Sequence, residues 1–165
     1  MWNNNLIKKS FLCAGIMFIH GLIGKILMGD SGQSPWYLSL KKPFFNPPGY
    51  VFAIVWPILY CCIIATGIQL LKSDKNKTLN TNLMLLFGHL PINSLWIYVF
   101  FIQHNIALGT FILLALTVIV WNMTFRFKIA DKQAALLFLP YSLWLTFAFI
   151  LNLSIYLLNR PFLTY

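Results

Sequence analysis

Five apolar stretches separated by short polar segments dominate this 165-residue chain. They cover residues 10–27, 48–71, 79–101, 106–125 and 132–158. A helix needs about 20 apolar residues to cross the ~30 Å hydrocarbon core of a bilayer, and each stretch approaches or exceeds that length. Because backbone polar groups find no water inside a bilayer, helices are the expected form, and no alternating pattern favours a barrel. The sequence therefore predicts an all-α membrane protein, a single domain over residues 1–165 built as a bundle of five transmembrane helices.

The charged residues lie at the ends of these stretches. They make up 9% of the chain, and the net charge of +9 comes from scattered lysines and arginines rather than from a basic face. This distribution argues against a nucleic-acid partner. Five crossings place eight of the twelve basic residues on the side of the N-terminus: Lys8, Lys9, Lys72, Lys75, Lys77, Arg126, Lys128 and Lys132. The other side has Lys25, Lys41, Lys42 and Arg160. The positive-inside rule therefore predicts a cytoplasmic N-terminus.

Capping residues and prolines mark where the predicted helices begin and bend. Asn105 and Asp131 directly precede the fourth and fifth helices, where a side-chain oxygen can accept from free backbone amides. Asn46, followed by Pro47 and Pro48, predicts the start of the second helix in the same way. Prolines inside the second, third and fifth helices predict bends: Pro57, Pro91 and Pro140.

A long loop between helices 1 and 2 holds the most polar and proline-rich part of the chain. Residues 36–48 include two lysines and an aromatic pair in a chain that otherwise lies in lipid. We expect the functional site beneath this loop.

Aromatic and polar side chains share one face on three of the predicted helices. They are Phe52, Trp56 and Tyr60 on the second helix, His89, Asn93 and Trp96 on the third, and Tyr141, Trp144, Ala148, Asn152 and Tyr156 on the fifth. A polar side chain facing hydrocarbon without a partner costs roughly a few kcal/mol, so the faces of the third and fifth helices are predicted to point inward. Two interpretations stay open: packing with interhelical hydrogen bonds, or contact with a flat apolar ligand between bent helices.

Other chemistry has little support in the sequence. The acids Asp30, Asp74 and Asp131 lie near segment ends, so no intramembrane carboxylate is available for a proton relay or an ion site. His89 has no second metal-ligating side chain at a suitable spacing, and a satisfied neutral imidazole is the more frequent case. The chain also lacks the residue sets of hydrolases and phosphate-binding loops. No metal site and no cofactor are predicted; what remains is binding of an apolar molecule, with photochemistry or redox chemistry at a tryptophan as an addition.

Three ordered blocks of residues between Trp36 and Asn159 carry a family resemblance. The first block is Trp36-Tyr37, Leu40, Lys42-Pro43, Asn46-Pro47-Pro48, Val55-Trp56 and Leu59-Tyr60. The second is Asn93 and Trp96 with Phe100-Phe101, and the third is Pro140-Tyr141, Trp144, Phe147-Ala148, Leu151-Asn152 and Asn159. With these blocks the chain resembles the translocator protein family, also called TspO/MBR, tryptophan-rich sensory proteins or peripheral benzodiazepine receptors.

The resemblance implies a homodimer of five-helix bundles with a ligand pocket beneath the first long loop. It implies a membrane receptor or sensor that binds porphyrins such as protoporphyrin IX, with sterols as further candidate ligands, linked to tetrapyrrole and stress regulation. Together with the inward faces, it predicts these ligand-binding residues: Trp36, Pro47, Pro48, Phe52, Trp56, Tyr60, His89, Asn93, Trp96, Tyr141, Trp144, Ala148 and Asn152.

Two alternative functions stay open beside this one. One is light-dependent degradation of the porphyrin, in which Trp56 and Trp144 would be the catalytic residues. The other is passive transport of tetrapyrroles or lipids. A loose sterol-type pattern also survives at the end of the fifth helix, as Leu153, Tyr156 and Arg160.

This chain departs from the family pattern at several positions. His89 stands where many members have Gln, Pro91 where Ala is common, Phe45 where Trp is frequent, and Thr110 at a position that is often acidic. His89, Lys41 or Lys42 is expected to meet the propionates of a porphyrin.

Overall fold

The computed structural model describes residues 4–73 and 78–160. Its helices are α1 (Asn4–Met28), a 3-10 turn (Ser31–Gln33), α2 (Pro35–Ser39), α3 (Gly49–Lys72), α4 (Leu79–Gly88), α5 (Leu90–Ile97), a π-helical turn (Tyr98–Ile102), α6 (Ile106–Ala130) and α7 (Lys132–Leu158). Five stretches are long and apolar enough to cross a bilayer: Asn4–Gln33, Gly49–Lys72, Leu79–Ile102, Ile106–Ala130 and Lys132–Leu158. The predicted all-α fold with five spans is confirmed, and residues 4–73 and 78–160 contain no strand.

Two helices extend beyond the predicted apolar stretches. Helix α1 begins at Asn4 rather than at residue 10, and α6 ends at Ala130 rather than at residue 125. The added turns contain lysine and arginine, which are good helix formers, so the backbone ladder continues past the edge of the hydrocarbon. Apolar length therefore underestimates helix length at the water boundary.

The five spans pack as a closed ring. Helix α1 packs against α3 and α5, α3 packs against α7, and α7 packs against α6, which in turn contacts α5. Helix α4 also contacts α3 and α6. The largest core cluster contains residues from this ring and includes Ile63, Leu116, Phe138 and Leu145. Residues predicted on different spans can therefore meet inside one bundle.

The outer surface of the ring is apolar. Large hydrophobic side chains such as Phe11, Phe18, Met84 and Phe111 are exposed on α1, α4 and α6. A soluble protein rarely exposes so many large apolar groups together, whereas lipid chains would cover them. Six basic residues lie at the opposite end from the connection between α1 and α3: Lys8, Lys9, Lys72, Arg126, Lys128 and Lys132. Lys75, Lys77 and Asp74 lie outside the described residues, and the cytoplasmic N-terminus stays a prediction.

The third span is interrupted at His89. Helix α4 ends at Gly88 and α5 begins at Leu90, with Pro91 in the first turn of the new helix. Proline lacks an N–H, so it cannot continue the ladder of the preceding helix, but it fits the first turn of the next one. By contrast, α3 and α7 continue through Pro57 and Pro140.

The predicted caps are correct at two helices and wrong at one. The Asn105 side chain accepts from Leu108 N–H at 3.0 Å, and Asp131 caps α7. Asn46 does not cap α3, because that helix begins at Gly49 with Pro48 as its N-cap residue. The Asn46 amide instead donates to the Pro47 carbonyl at 3.2 Å. The two prolines separate Asn46 from the free amides of the helix.

Asp131 also joins the α6–α7 turn to the end of α3. Its carboxylate accepts from the Ser73 hydroxyl, from Gln69 at 3.1 Å, and from the backbone N–H groups of Gln133 and Ala134 at 2.8 and 3.0 Å. Burial raises the pKa of Asp131, but the hydrogen bonds from these four residues outweigh it and hold the pKa below its ordinary value. The ionised carboxylate is thus the form that stabilises this junction.

We expect Asp131→Ala to lower the free energy of unfolding by about 1–3 kcal/mol, since a helix cap and two side-chain contacts are lost together. Because the folded-state pKa lies below the unfolded value, this contribution is present above about pH 4 and disappears as the pH falls through the folded pKa. The measurement is unfolding in detergent at pH 7 and pH 3.5, with Asp131→Asn as the control that retains an N-cap oxygen. An equal difference between wild type and Asp131→Ala at both pH values would contradict the assignment.

Candidate ligand-binding site

The connection between α1 and α3 is partly helical rather than a long irregular loop. It contains the 3-10 turn and α2, and residues 40–48 lack regular helix. Ser34 caps α2, because its hydroxyl accepts from Tyr37 N–H at 3.2 Å. We call residues 29–48 the connecting segment.

A row of aromatic rings runs from α3 through α7 to the connecting segment. Phe52 meets Trp144 edge-on with ring centroids 5.7 Å apart, and Trp144 lies 5.4 Å from Phe147. Phe45 of the connecting segment contacts Phe147 at 6.3 Å. Phe45 thus takes part in this row.

A second group of rings joins α5 to the connecting segment. Trp96 stacks near Phe100 at 5.8 Å and meets Phe101 edge-on at 6.0 Å. Trp36 contacts Phe100 at 5.6 Å, and Tyr37 contacts Phe101 at 5.5 Å. Trp96 also packs against the main core cluster, so it links the interior of the bundle to the segment that covers it.

Trp56 and Tyr60 form a third contact on α3. Their rings lie 5.8 Å apart, as their four-residue spacing predicts, and both side chains are half-buried against the core. His20 of α1 meets Tyr60 edge-on at 5.8 Å, and its Nδ1 lies 3.4 Å from the Ser94 hydroxyl. His20 is not among the site residues predicted from the sequence. The signal that could have identified it is a single polar side chain within an apolar span, because such a side chain needs a hydrogen-bond partner.

Three predicted site residues have buried polar atoms without hydrogen-bond partners in the described part of the chain. They are both amide atoms of Asn93, Nε1 of Trp96 and Nε1 of Trp144. Asn93 is 1% exposed, and the His20 imidazole is its neighbour at the range of a weak hydrogen bond, but neither amide atom reaches the distance and angle of a regular hydrogen bond. Most buried polar groups in native structures are paired, so each orphan group needs an explanation. A bound molecule with donors and acceptors would provide the missing partners.

Other predicted site residues use their polar groups inside the protein. His89 Nε2 lies 3.0 Å from the Tyr141 hydroxyl, and Nδ1 lies 3.3 Å from the Leu85 carbonyl. Asn152 donates to the Thr110 hydroxyl at 2.7 Å, which is the interhelical hydrogen bond given above as one alternative. The faces of the third and fifth helices therefore do point inward, as predicted.

Lys42 is bound within the connecting segment. Its ammonium donates to the carbonyls of Tyr37, Leu40 and Leu38 at 2.5, 3.2 and 3.4 Å, and lies 4.5 Å from the centre of the Tyr37 ring. Loss of solvent lowers the pKa of Lys42 and raises that of Tyr37. Like His89, Lys42 has its polar contacts within the protein. Of the three residues expected to meet the propionates, Lys41 is the one whose side chain has no such contact within residues 4–73 and 78–160.

Asn159 fastens the connecting segment to the end of α7. Its side-chain oxygen accepts from Lys41 N–H at 2.9 Å, and its amide donates to the Lys41 carbonyl at 2.7 Å. The same amide nitrogen donates to the Ile155 carbonyl at 2.8 Å. One side chain therefore satisfies both backbone groups of Lys41, and the segment is held across the end of the bundle.

The remaining predicted residues lie at the edges of this arrangement. Pro47 is half-buried and Pro48 exposed just before α3, while Ala148 packs against the core from α7. In the sterol-type pattern, Leu153 is half-buried and the Arg160 guanidinium lies 4.8 Å from the centre of the Tyr156 ring.

These features define a class of protein: a multi-pass helical membrane protein with aromatic and unpaired polar side chains enclosed by its spans and covered at one end. A family model described as the TspO/MBR family matches residues 11–158. The chain belongs to the TspO/MBR family, and it is an integral membrane protein.

Three relatives illustrate the range of the family. The chain is 36% identical to the tryptophan-rich protein TspO of Archaeoglobus fulgidus, over 94% of this chain and 99% of the relative. It is 30% identical to the tryptophan-rich sensory protein of Cereibacter sphaeroides, over 76% of this chain and 79% of the relative. It is 30% identical to the translocator protein of Bos taurus, over 71% of this chain and 70% of the relative.

Proposed function

We propose that this protein is a membrane receptor or sensor that binds a porphyrin, such as protoporphyrin IX, between its helices. The observation that carries the proposal is the set of buried, unpaired polar atoms on Asn93, Trp96 and Trp144. Without a ligand, each of these buried groups would lack a hydrogen-bond partner at a cost of about 1–3 kcal/mol. Three such side chains in one bundle therefore favour a ligand with matching donors and acceptors.

The chemistry of the site restricts the ligand. Indole nitrogens only donate hydrogen bonds, whereas the Asn93 amide both donates and accepts. The rings of Phe52, Trp96 and Trp144 offer faces and edges to an apolar surface. A porphyrin has a flat aromatic body, pyrrole N–H donors and carboxylate acceptors, and so meets both demands. The names of relatives as a sensory protein and a translocator protein agree with a binding function.

Quenching of tryptophan fluorescence tests the proposal. We expect micromolar protoporphyrin IX to quench the purified protein in a saturable manner. Asn93→Leu is expected to weaken binding about tenfold, since a lost buried hydrogen bond of about 1.4 kcal/mol corresponds to that factor.

Asn122→Leu provides the matched control. Asn122 is exposed on α6 and donates to Val118 of its own helix, so the same substitution there should leave the affinity unchanged. No saturable quenching of the wild-type protein, or equal weakening by the two substitutions, would contradict the proposal.

A further inference from the structure

A groove of about 400 Å³ lies at the end of the bundle that the connecting segment covers. It separates the start of α6 from the end of α7, and its walls are Gln103, His104, Asn105, Ile106, Ala107, Tyr156, Asn159 and Arg160. None of these residues is among the ligand-binding residues predicted from the sequence; Tyr156 and Arg160 belong to the sterol-type pattern, and Asn105 and Asn159 were selected as a helix cap and as part of the family resemblance. The groove therefore needs its own explanation.

The walls offer hydrogen-bond donors and a cation. The Arg160 guanidinium is a permanent cation with several donors in a plane, and the Tyr156 ring lies beneath it at 4.8 Å. The Asn105 oxygen is occupied by Leu108 N–H, so its amide nitrogen remains as a donor. Gln103 adds a further amide.

The wall residues carry no carboxylate. Asp30 and Asp131 are the acids in the described ranges 4–73 and 78–160. Asp131 lies at the other end of the bundle, and Asp30 belongs to the connecting segment but not to the walls of the groove. The walls thus offer a cation and several donors but no anion. A sterol, with its one hydroxyl, would satisfy few of these groups, whereas a phosphate accepts from several donors at once and pairs with arginine in a bidentate manner.

The ends of the spans place the groove at the edge of the apolar region, where we expect lipid phosphates to lie. Spans three, four and five end or begin at Ile102, Ile106 and Leu158, within a few residues of its walls. The hydrocarbon core ends where the spans end, and the headgroups follow directly. His104 forms one wall and stacks on Trp36 at 4.1 Å, so this wall is tied to the connecting segment.

We propose that this groove binds a phosphate group, with Arg160 as its principal ligand. The two sources of such a group are the headgroup of a phospholipid in the surrounding leaflet and soluble phosphate. Its walls contain none of the residues proposed to bind the porphyrin, although His104 stacks on one of them, Trp36, and the phosphate site does not require a bound porphyrin.

Isothermal titration of the full-length protein in detergent tests the site with three probes: dioctanoylphosphatidylglycerol, dioctanoylglycerol and inorganic phosphate. We expect saturable binding of the phospholipid, no comparable binding of the phosphate-free dioctanoylglycerol, and about tenfold weaker phospholipid binding by Arg160→Gln. Lys25→Gln is the matched control, because Lys25 is an exposed cation at the same end of the bundle but outside the groove.

Each outcome decides the question. Loss of affinity in Arg160→Gln but not in Lys25→Gln supports the site, and the stronger of the two phosphate probes identifies the source. Gln103→Leu replaces an exposed residue of the groove and provides a second test if Arg160→Gln does not fold. This variant should also bind the phospholipid more weakly than wild type. Equal binding of dioctanoylglycerol and the phospholipid, or unchanged affinity in the groove variants, would overturn the proposal.

Discussion

Replacing His89 with leucine is expected to lower the free energy of unfolding by about 1–3 kcal/mol, because the Tyr141 hydroxyl would remain buried without a partner. His89 and Tyr141 are 2% and 1% exposed, so water cannot replace the lost hydrogen bond. The Leu85 carbonyl can only accept, which requires the proton on His89 Nδ1 and leaves Nε2 to accept from the Tyr141 hydroxyl.

The double variant His89→Leu with Tyr141→Phe should recover part of this loss. Removing both polar partners leaves apolar groups of similar shape, and such a replacement can be nearly neutral. The coupling energy between the two positions is expected to reach about 1 kcal/mol or more. Unfolding by SDS titration, followed by circular dichroism in detergent, measures all four proteins.

His89→Gln is the conservative control for this cycle. An amide retains a donor and an acceptor, so this variant should lie within about 1 kcal/mol of wild type. Equal loss in His89→Gln and His89→Leu, or strictly additive effects in the double variant, would show that the hydrogen bond is not the source of the stability.

Asn159→Ala is expected to open the connecting segment without unfolding the bundle. The substitution removes both hydrogen bonds to Lys41, worth about 1 kcal/mol each, so the population with a detached segment should rise about 30-fold. Trypsin cleavage after Lys41 reports this opening directly, because proteolysis in this regime follows the population of the open form. The same variant should release a bound porphyrin faster than wild type.

Ser154→Ala is the matched control for this prediction. Ser154 lies near the same end of α7, but its hydroxyl bonds only to the Ile150 carbonyl of its own helix. Trypsin should cleave the Ser154→Ala variant after Lys41 at the wild-type rate. Cleavage of Asn159→Ala at the wild-type rate would mean that the aromatic contacts of Trp36, Tyr37 and Phe45 hold the segment without Asn159.

Most of the third span was predictable, but its break was not. The sequence predicts one helix with a bend at Pro91, whereas helix α4 ends at Gly88 and α5 begins at Leu90. The same residue type at Pro57 and Pro140 does not interrupt α3 or α7. Because proline has no N–H, it leaves the carbonyl four residues earlier without its helical donor, and whether neighbouring groups compensate depends on the surrounding helices.

The homodimer and the direction of insertion stay predictions. Both depend on surroundings that lie outside one chain: a second copy, and a membrane with two different faces. The stripe of exposed side chains on α1, which includes Phe11 and Phe18, is equally suited to lipid and to another protein surface.

The sequence by itself determined the spans, the caps at Asn105 and Asp131, and the inward faces of the third and fifth helices. These are local properties, since a bilayer requires backbone hydrogen bonds to be satisfied within each helix and makes unpaired polar side chains costly at hydrocarbon depth. Only the tertiary structure decided which inward residues pair, as in His89 with Tyr141, Asn152 with Thr110, and Asn159 with Lys41. Each pair joins distant parts of the chain, and its partners meet because of the order in which the helices close the ring. That order also leaves Asn93, Trp96 and Trp144 unpaired, which no helical spacing reveals.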